Sequence, residues 1–69
     1  MREQILDAAL AQAQGEMMVA KTNIEVYLAN PAGIGEHSDV VEAVIAELDK
    51  LASADDRIEM IQKYFLARG

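Results

Sequence analysis

Apolar residues recur through the first part of the chain at alternating intervals of four and three. Residues 3–29 contain no proline, and a heptad spacing of this kind is typical of a helix packed along its length on another helix. Gly15 lies just off the seam and costs a helix about 1 kcal/mol relative to alanine, so a close backbone contact there is one interpretation. The pattern predicts a long N-terminal helix with a packing seam. The seam consists of Leu6, Leu10, Ala13, Met17, Ala20, Ile24 and Tyr27.

The segment NPAGIGEHSD at residues 30–39 predicts a reversal of the chain. Pro31 disfavours helical geometry in the residue before it, and the two glycines can take positive φ values. Ser38 or Asp39 can then accept hydrogen bonds from the free N–H groups of a second helix. We therefore expect the first helix to end near Ala29 or Asn30 and the return arm to begin at the Ser-Asp pair.

The return arm repeats the spacing and then changes phase. Ser53 is followed by Asp55 and Asp56, which looks like a helix cap with acids in its first turn. This predicts two shorter helices with a break near Ser53, and one unbroken helix over 39–66 is the alternative. The first apolar stripe is Val41, Val44, Leu48 and Leu51, and the second contains Ile58, Ile61 and Phe65.

The predicted fold is a single all-helical domain over residues 1–69, an antiparallel hairpin. A domain this small buries only about 60% of its unfolded surface, and its core rarely supplies more than about 3–5 kcal/mol. There is no cysteine to add a disulfide. One hairpin cannot cover both the seam and the wide apolar faces of the return arm. We therefore expect a homo-oligomer, dimer or tetramer, that forms a helix bundle with the fourteen seam residues above as its self-association surface.

Charge narrows the classes of partner. Twelve acidic residues against six basic ones give a net charge of −6, whereas nucleic-acid phosphates require a basic patch. No apolar run approaches the roughly 18 residues of a membrane span, and the N-terminus lacks the apolar stretch of a signal peptide. These features predict a cytoplasmic protein that binds neither nucleic acid nor membrane.

Candidate chemistry is confined to the reversal. Only G-I-G is present there, whereas a dinucleotide fingerprint needs a third glycine and a preceding strand. The single histidine has no partner at the usual metal-ligand spacings. We therefore predict no catalytic residue, no metal site, no cofactor and no enzyme activity. A metal or catalytic site around the histidine, with neighbouring carboxylates, is the alternative. The segment's residues of interest are Gly33, Gly35, Glu36 and His37.

About two-thirds of the chain, residues 21–65, resembles one group of small proteins. The motifs that carry the resemblance are Asn23-Ile24-Glu25-Val26-Tyr27-Leu28, Asn30-Pro31, Gly33-Ile34-Gly35-Glu36-His37, Asp55-Asp56-Arg57-Ile58-Glu59-Met60 and Lys63-Tyr64-Phe65. They are similar to proteins encoded by T-even-like marine phages, cyanophages among them, to which no function is assigned. The resemblance implies a phage origin and a host-cytoplasm setting, and it implies no catalytic activity.

For function, these observations favour a small acidic interaction or structural protein that self-associates and binds a host or phage protein. The pair Met17-Met18 either belongs to the core or lines an adaptable binding groove. One alternative is an acidic decoy that occupies a nucleic-acid-binding surface of another protein, which would need its acids clustered on one face. The other is the metal or catalytic site around His37.

Overall fold

A computed structural model describes residues 1–29 and 39–66, and it folds them into two helices. Helix α1 spans Arg2–Ala29 and helix α2 spans Asp39–Tyr64. Within these two ranges there is no strand, so the prediction of an all-α chain with two packed helical arms is confirmed. The predicted reversal lies outside the described residues, with Pro31, Gly33, Gly35, Glu36, His37 and Ser38.

The two helices run antiparallel, as three hydrogen bonds between them show. Residues with lower numbers in α1 bond to residues with higher numbers in α2, and the two residue numbers add to about 70. Residue 20 of α1 therefore lies opposite about residue 50 of α2. The bonds are Arg2 Nη2 to the Phe65 carbonyl oxygen at 2.6 Å, Arg57 Nη2 to Glu16 Oε1 at 2.5 Å, and Asn23 Nδ2 to Glu47 Oε1 at 3.3 Å.

The seven residues of the α1 seam face α2 of the same chain. Ala13 and Ala20 are buried and the other five are half-buried. The heptad spacing thus predicted a packed helix face, and the structure fills that face within one chain. The faces of the two helices that stay exposed in the hairpin are therefore the ones open to a second copy.

The predicted break near Ser53 is wrong, because α2 is one continuous helix. Its side facing α1 keeps a single heptad phase, and two of its members, Glu47 and Ala54, are the buried residues of the helix. Three predicted seam residues, Val41, Leu48 and Phe65, do not pack against α1 and are exposed in the single chain, so their predicted role in self-association stays a prediction. Because Glu47 is polar, a search for apolar residues omits it from this series. The apolar residues of the return arm therefore give the impression of a change in heptad phase near Ser53. The series is Val40, Val44, Glu47, Leu51, Ala54, Ile58 and Ile61.

The core between the helices is thin. Its buried apolar residues are Ala13, Ala20 and Ala54, and no large side chain among the described residues is fully buried. The antiparallel register places Ala13 opposite about residue 57, Ala20 opposite about residue 50 and Ala54 opposite about residue 16.

The molecule is a rod measuring 51 × 16 × 15 Å. Its radius of gyration is 15.6 Å, whereas a compact chain of 69 residues has about 11 Å. Its accessible surface is 5113 Å², whereas a compact protein of 7.5 kDa exposes about 4,200 Å². The hairpin therefore leaves several hundred Å² of surface that a compact fold would bury.

Candidate functional site

The exposed apolar side chains lie mainly on two surfaces, one between the helices and one on the outside of α1. Eleven large apolar side chains of the described residues are exposed. They are Met1, Ile5, Met18, Val19, Val26, Leu28, Val41, Ile45, Leu48, Tyr64 and Phe65.

The first surface, here named the methionine groove, is an open groove of about 540 Å³. Its apolar lining is Met17, Met18 and Ile24 of α1 with Leu48 and Leu51 of α2. Val41 and Ile45 precede Leu48 at heptad spacing, so they extend this apolar side of α2. Lys21 and Glu25 of α1 also line the groove. Met17 is half-buried and Met18 is 68% exposed, so the methionine pair contributes to both the core and the groove.

The second surface, here named the outer seam, runs along the side of α1 that is turned away from the packed seam. Three of its members, Gln12, Val19 and Thr22, also border open grooves that α2 residues line. Its eight residues follow a second heptad series with intervals of three and four, and all of them are exposed. None is charged, and a Cβ built on Gly15 would meet nothing within 4 Å. The close contact considered for Gly15 is therefore absent within the chain. The outer seam consists of Ile5, Ala8, Gln12, Gly15, Val19, Thr22, Val26 and Ala29.

The outward face of α2 has the opposite character. Its heptad positions furthest from α1 carry Glu42, Asp49, Asp56 and Lys63, and all four are exposed. Such a face stays hydrated without a partner. The two outer sides of the hairpin therefore differ in kind, one charged and one uncharged over its whole length.

Ionic and amide contacts fix the side of the hairpin opposite the methionine groove. Glu16 accepts hydrogen bonds from Arg57 and, at 3.1 Å, from Gln12 Nε2. The Arg57 hydrogen bond, followed by that of Gln12, holds the pKa of Glu16 below its usual 4.5. Further along, both carboxylate oxygens of Glu47 are bonded, one to Asn23 and the other to Lys50 Nζ, each at 3.3 Å.

The Glu16 contacts predict a loss of hairpin stability in acid. Because folding lowers this pKa, the ionised carboxylate stabilises the fold at neutral pH, and the contribution disappears as pH falls below the usual value of 4.5 and through the folded one. The thermal midpoint, followed by circular dichroism, should therefore fall in this range. Glu16→Gln should show a lower midpoint near neutral pH and a shallower fall in acid. Equal acid slopes in the two proteins would contradict this role.

Substitution of Asn23 alone should destabilise the hairpin more than substitution of Asn23 and Glu47 together. Asn23→Leu removes a donor from a carboxylate that is buried in the seam, so it should destabilise the hairpin by about 1–3 kcal/mol. The pair Asn23→Leu with Glu47→Leu replaces both polar partners and should recover most of that loss. Urea unfolding measures both. A double variant less stable than Asn23→Leu alone would show that Glu47 stabilises the seam without Asn23.

The described ranges also bear on metal binding and on membrane spanning. No group of three or more His, Cys, Asp or Glu there is placed to hold a metal ion. Gly33, Gly35, Glu36 and His37, the predicted residues of interest, lie outside these ranges. Neither α1 nor α2 contains a stretch long and apolar enough to cross a membrane.

The sequence pattern missed the outer seam because five of its eight members are alanine, glycine, threonine or glutamine. A search for large apolar residues finds only Ile5, Val19 and Val26, which are too sparse to suggest a seam. The detectable feature is the absence of charge at eight positions in heptad spacing. That absence stands out in a chain of which 26% is charged.

Compared with known proteins, the chain matches no family model, no curated protein and no solved structure. The assignment to a phage group therefore stays a prediction from the resemblance. The functional argument depends on the two apolar surfaces.

Proposed function

We propose that this protein is a small acidic helical interaction protein. It self-associates through its exposed apolar surface into a helix bundle, a dimer or a tetramer, and it binds a protein partner of phage or host origin. We assign it no catalytic activity, cofactor or metal ion. Its setting would be the cytoplasm.

The observation that carries this proposal is that the hairpin buries few apolar side chains and exposes many. The hairpin buries three alanines and exposes eleven large apolar side chains. Its accessible surface of 5113 Å² exceeds that of a compact protein of equal mass by about 900 Å². A standard protein interface removes about 800 Å² from each partner. One interface of ordinary size would therefore bring the chain to the surface area expected for its mass.

The methionine groove supports the binding of a partner as a second role. Methionine side chains adapt to differently shaped apolar surfaces, and an apolar groove between two helices suits one face of an amphipathic helix. Lys21 on one side of the groove and Asp55 beside Leu51 provide charges of both signs. We therefore expect the partner to offer a helix with an apolar stripe and charged flanks.

Light scattering over a dilution series tests self-association. We expect the mass of a dimer or tetramer, which falls to the monomer mass only at high dilution. The thermal midpoint should also rise with protein concentration, because folding and association are then linked. A folded monomer with a concentration-independent midpoint would overturn the proposal.

The acidic decoy is less well supported by the placement of the carboxylates. Glu42, Asp49 and Asp56 share the outward face of α2, but they are seven residues and therefore about 10.5 Å apart. Phosphates along one DNA strand advance about 3.4 Å per nucleotide. The acids of α1 lie on several faces. A decoy would bind a basic DNA-binding protein with steep salt dependence, whereas an apolar interface would depend weakly on salt.

A further inference from the structure

Large, small and polar side chains follow one another along the outer seam of α1 in an order that indicates which partner can pack on it. Large side chains lie at Ile5, Val19 and Val26, while Ala8, Gly15 and Ala29 are small. The remaining two positions, Gln12 and Thr22, can form hydrogen bonds. The series spans 24 residues, or about 36 Å of helix, so it is long enough for a full helix–helix contact.

This order of side-chain sizes is complementary to itself when a second copy of the helix runs in the opposite direction. An antiparallel second copy centred at residue 17 sets every large side chain opposite a small one and the two polar residues opposite each other. A parallel copy would set Val19 on Val19 and Gly15 on Gly15, which leaves the glycine layer unfilled. The antiparallel pairs are Ile5 with Ala29, Ala8 with Val26, Gln12 with Thr22, and Gly15 with Val19.

We infer that the outer seam is where a second copy of this chain packs, α1 against α1 in antiparallel orientation around a two-fold axis. The inference rests on the self-association proposed above and names its surface. A two-fold contact requires one patch to be complementary to itself, and this series meets that requirement at all eight positions. The small residues allow the two helix backbones to approach closely.

Charges next to the outer seam are compatible with this contact. Glu16 lies nearest the two-fold axis, where it would approach Glu16 of the second copy. Its ion pair with Arg57 neutralises it within its own chain. The charged outward face of α2 would instead set Glu42, Asp49 and Asp56 against like charges, which makes it an unsuitable surface for self-association. Gln12 donates to Glu16 through Nε2, which leaves its carbonyl oxygen free to accept from the Thr22 hydroxyl group of the second copy.

Engineered cysteines test the orientation, since the chain has none of its own. The variant Gln12→Cys with Thr22→Cys should oxidise to a dimer with two disulfides and no free thiol. Each single variant should remain unlinked, because position 12 lies about ten residues, or about 15 Å, along the axis from position 12 of the second copy. A disulfide needs Cα atoms within about 7 Å. The same separation prevents a disulfide within one chain.

The outcomes distinguish this inference from the proposed function. Single variants that cross-link as readily as the double variant would show parallel pairing and overturn the inference. A double variant that stays unlinked, while light scattering shows a dimer, would place self-association on another face and leave the proposed function intact. A monomer by light scattering would overturn both.

A second variant guards against effects of the cysteines on folding. Gly15→Leu adds a good helix former where the chain itself leaves open space, so the hairpin should keep its helicity. In the antiparallel contact the new side chain would collide with Val19 of the second copy, and association should weaken at least tenfold. The matched control is Ala46→Leu at an exposed position of α2, which should leave association unchanged. Unchanged association in Gly15→Leu would overturn the inference.

Discussion

Replacement of Ala54 by aspartate should unfold the hairpin. Ala54 is 0% exposed and lies on the side of α2 that packs against α1. An aspartate there would bury a carboxylate without a partner, which costs about 3–5 kcal/mol or more. A single core of this size supplies only about 3–5 kcal/mol in total. We therefore expect loss of the helical circular dichroism signal and of the cooperative thermal transition at neutral pH.

Ala46→Asp is the matched control for this experiment. It makes the same chemical change in the same helix, but Ala46 is exposed and its carboxylate would stay hydrated. The midpoint of this control should lie close to that of the unmodified chain. If Ala54→Asp kept the same midpoint as Ala46→Asp, the described packing of α1 on α2 would be wrong.

Replacement of Val19 by glutamate should leave the hairpin helical and convert the oligomer into a monomer. Val19 is 60% exposed in the single chain and borders a groove that Lys50 and Arg57 also line, so a glutamate there would be hydrated. In the antiparallel dimer it would lie against Gly15 of the second copy, and two such charges would be buried near the axis. The dissociation constant should rise at least about 100-fold, or about 2.7 kcal/mol. Analytical ultracentrifugation measures it.

Ile45→Glu is the matched control for Val19→Glu, and it tests the methionine groove. Ile45 is another β-branched residue with 51% exposure, and it lies on α2 at the groove side. We expect its glutamate variant to keep the oligomer and to lose binding of an apolar partner helix. The reverse result, dissociation by Ile45→Glu and none by Val19→Glu, would move the self-association surface to the groove.

The two helical arms were accessible from local sequence features, whereas the packing of the second arm was not. Helix α1 extends to Ala29, the last residue described before the predicted reversal at residues 30–39. In the second arm, the Ser-Ala-Asp-Asp segment resembles a helix cap and the apolar pattern changes there. These two features favour a break near Ser53 over one helix, and that prediction is wrong. Ala54 in that segment is buried against α1, whereas Ser53, Asp55 and Asp56 are exposed, and the helix continues through all four residues.

The candidate surfaces, too, could be predicted from the sequence only in part. The methionine pair was recognised as either core or groove, and the structure gives it both positions. Three residues expected in the seam, Val41, Leu48 and Phe65, are exposed, because Glu47 takes a seam position that a hydrophobic pattern does not assign to it. Its carboxylate is accommodated by Asn23, which is distant in sequence. No local pattern identifies that pairing.

The sequence by itself determined that the chain is helical and that one face of α1 packs along its whole length. Periodicity suffices for this, because the side chains that share a helix face are set by the backbone repeat alone. Only the tertiary structure decided which helix covers that face, which residues of α2 meet it, and which apolar residues remain outside. Those outcomes depend on the register between two segments and on contacts such as Asn23 with Glu47. The outer seam became recognisable only after α2 was placed against the packed seam of α1.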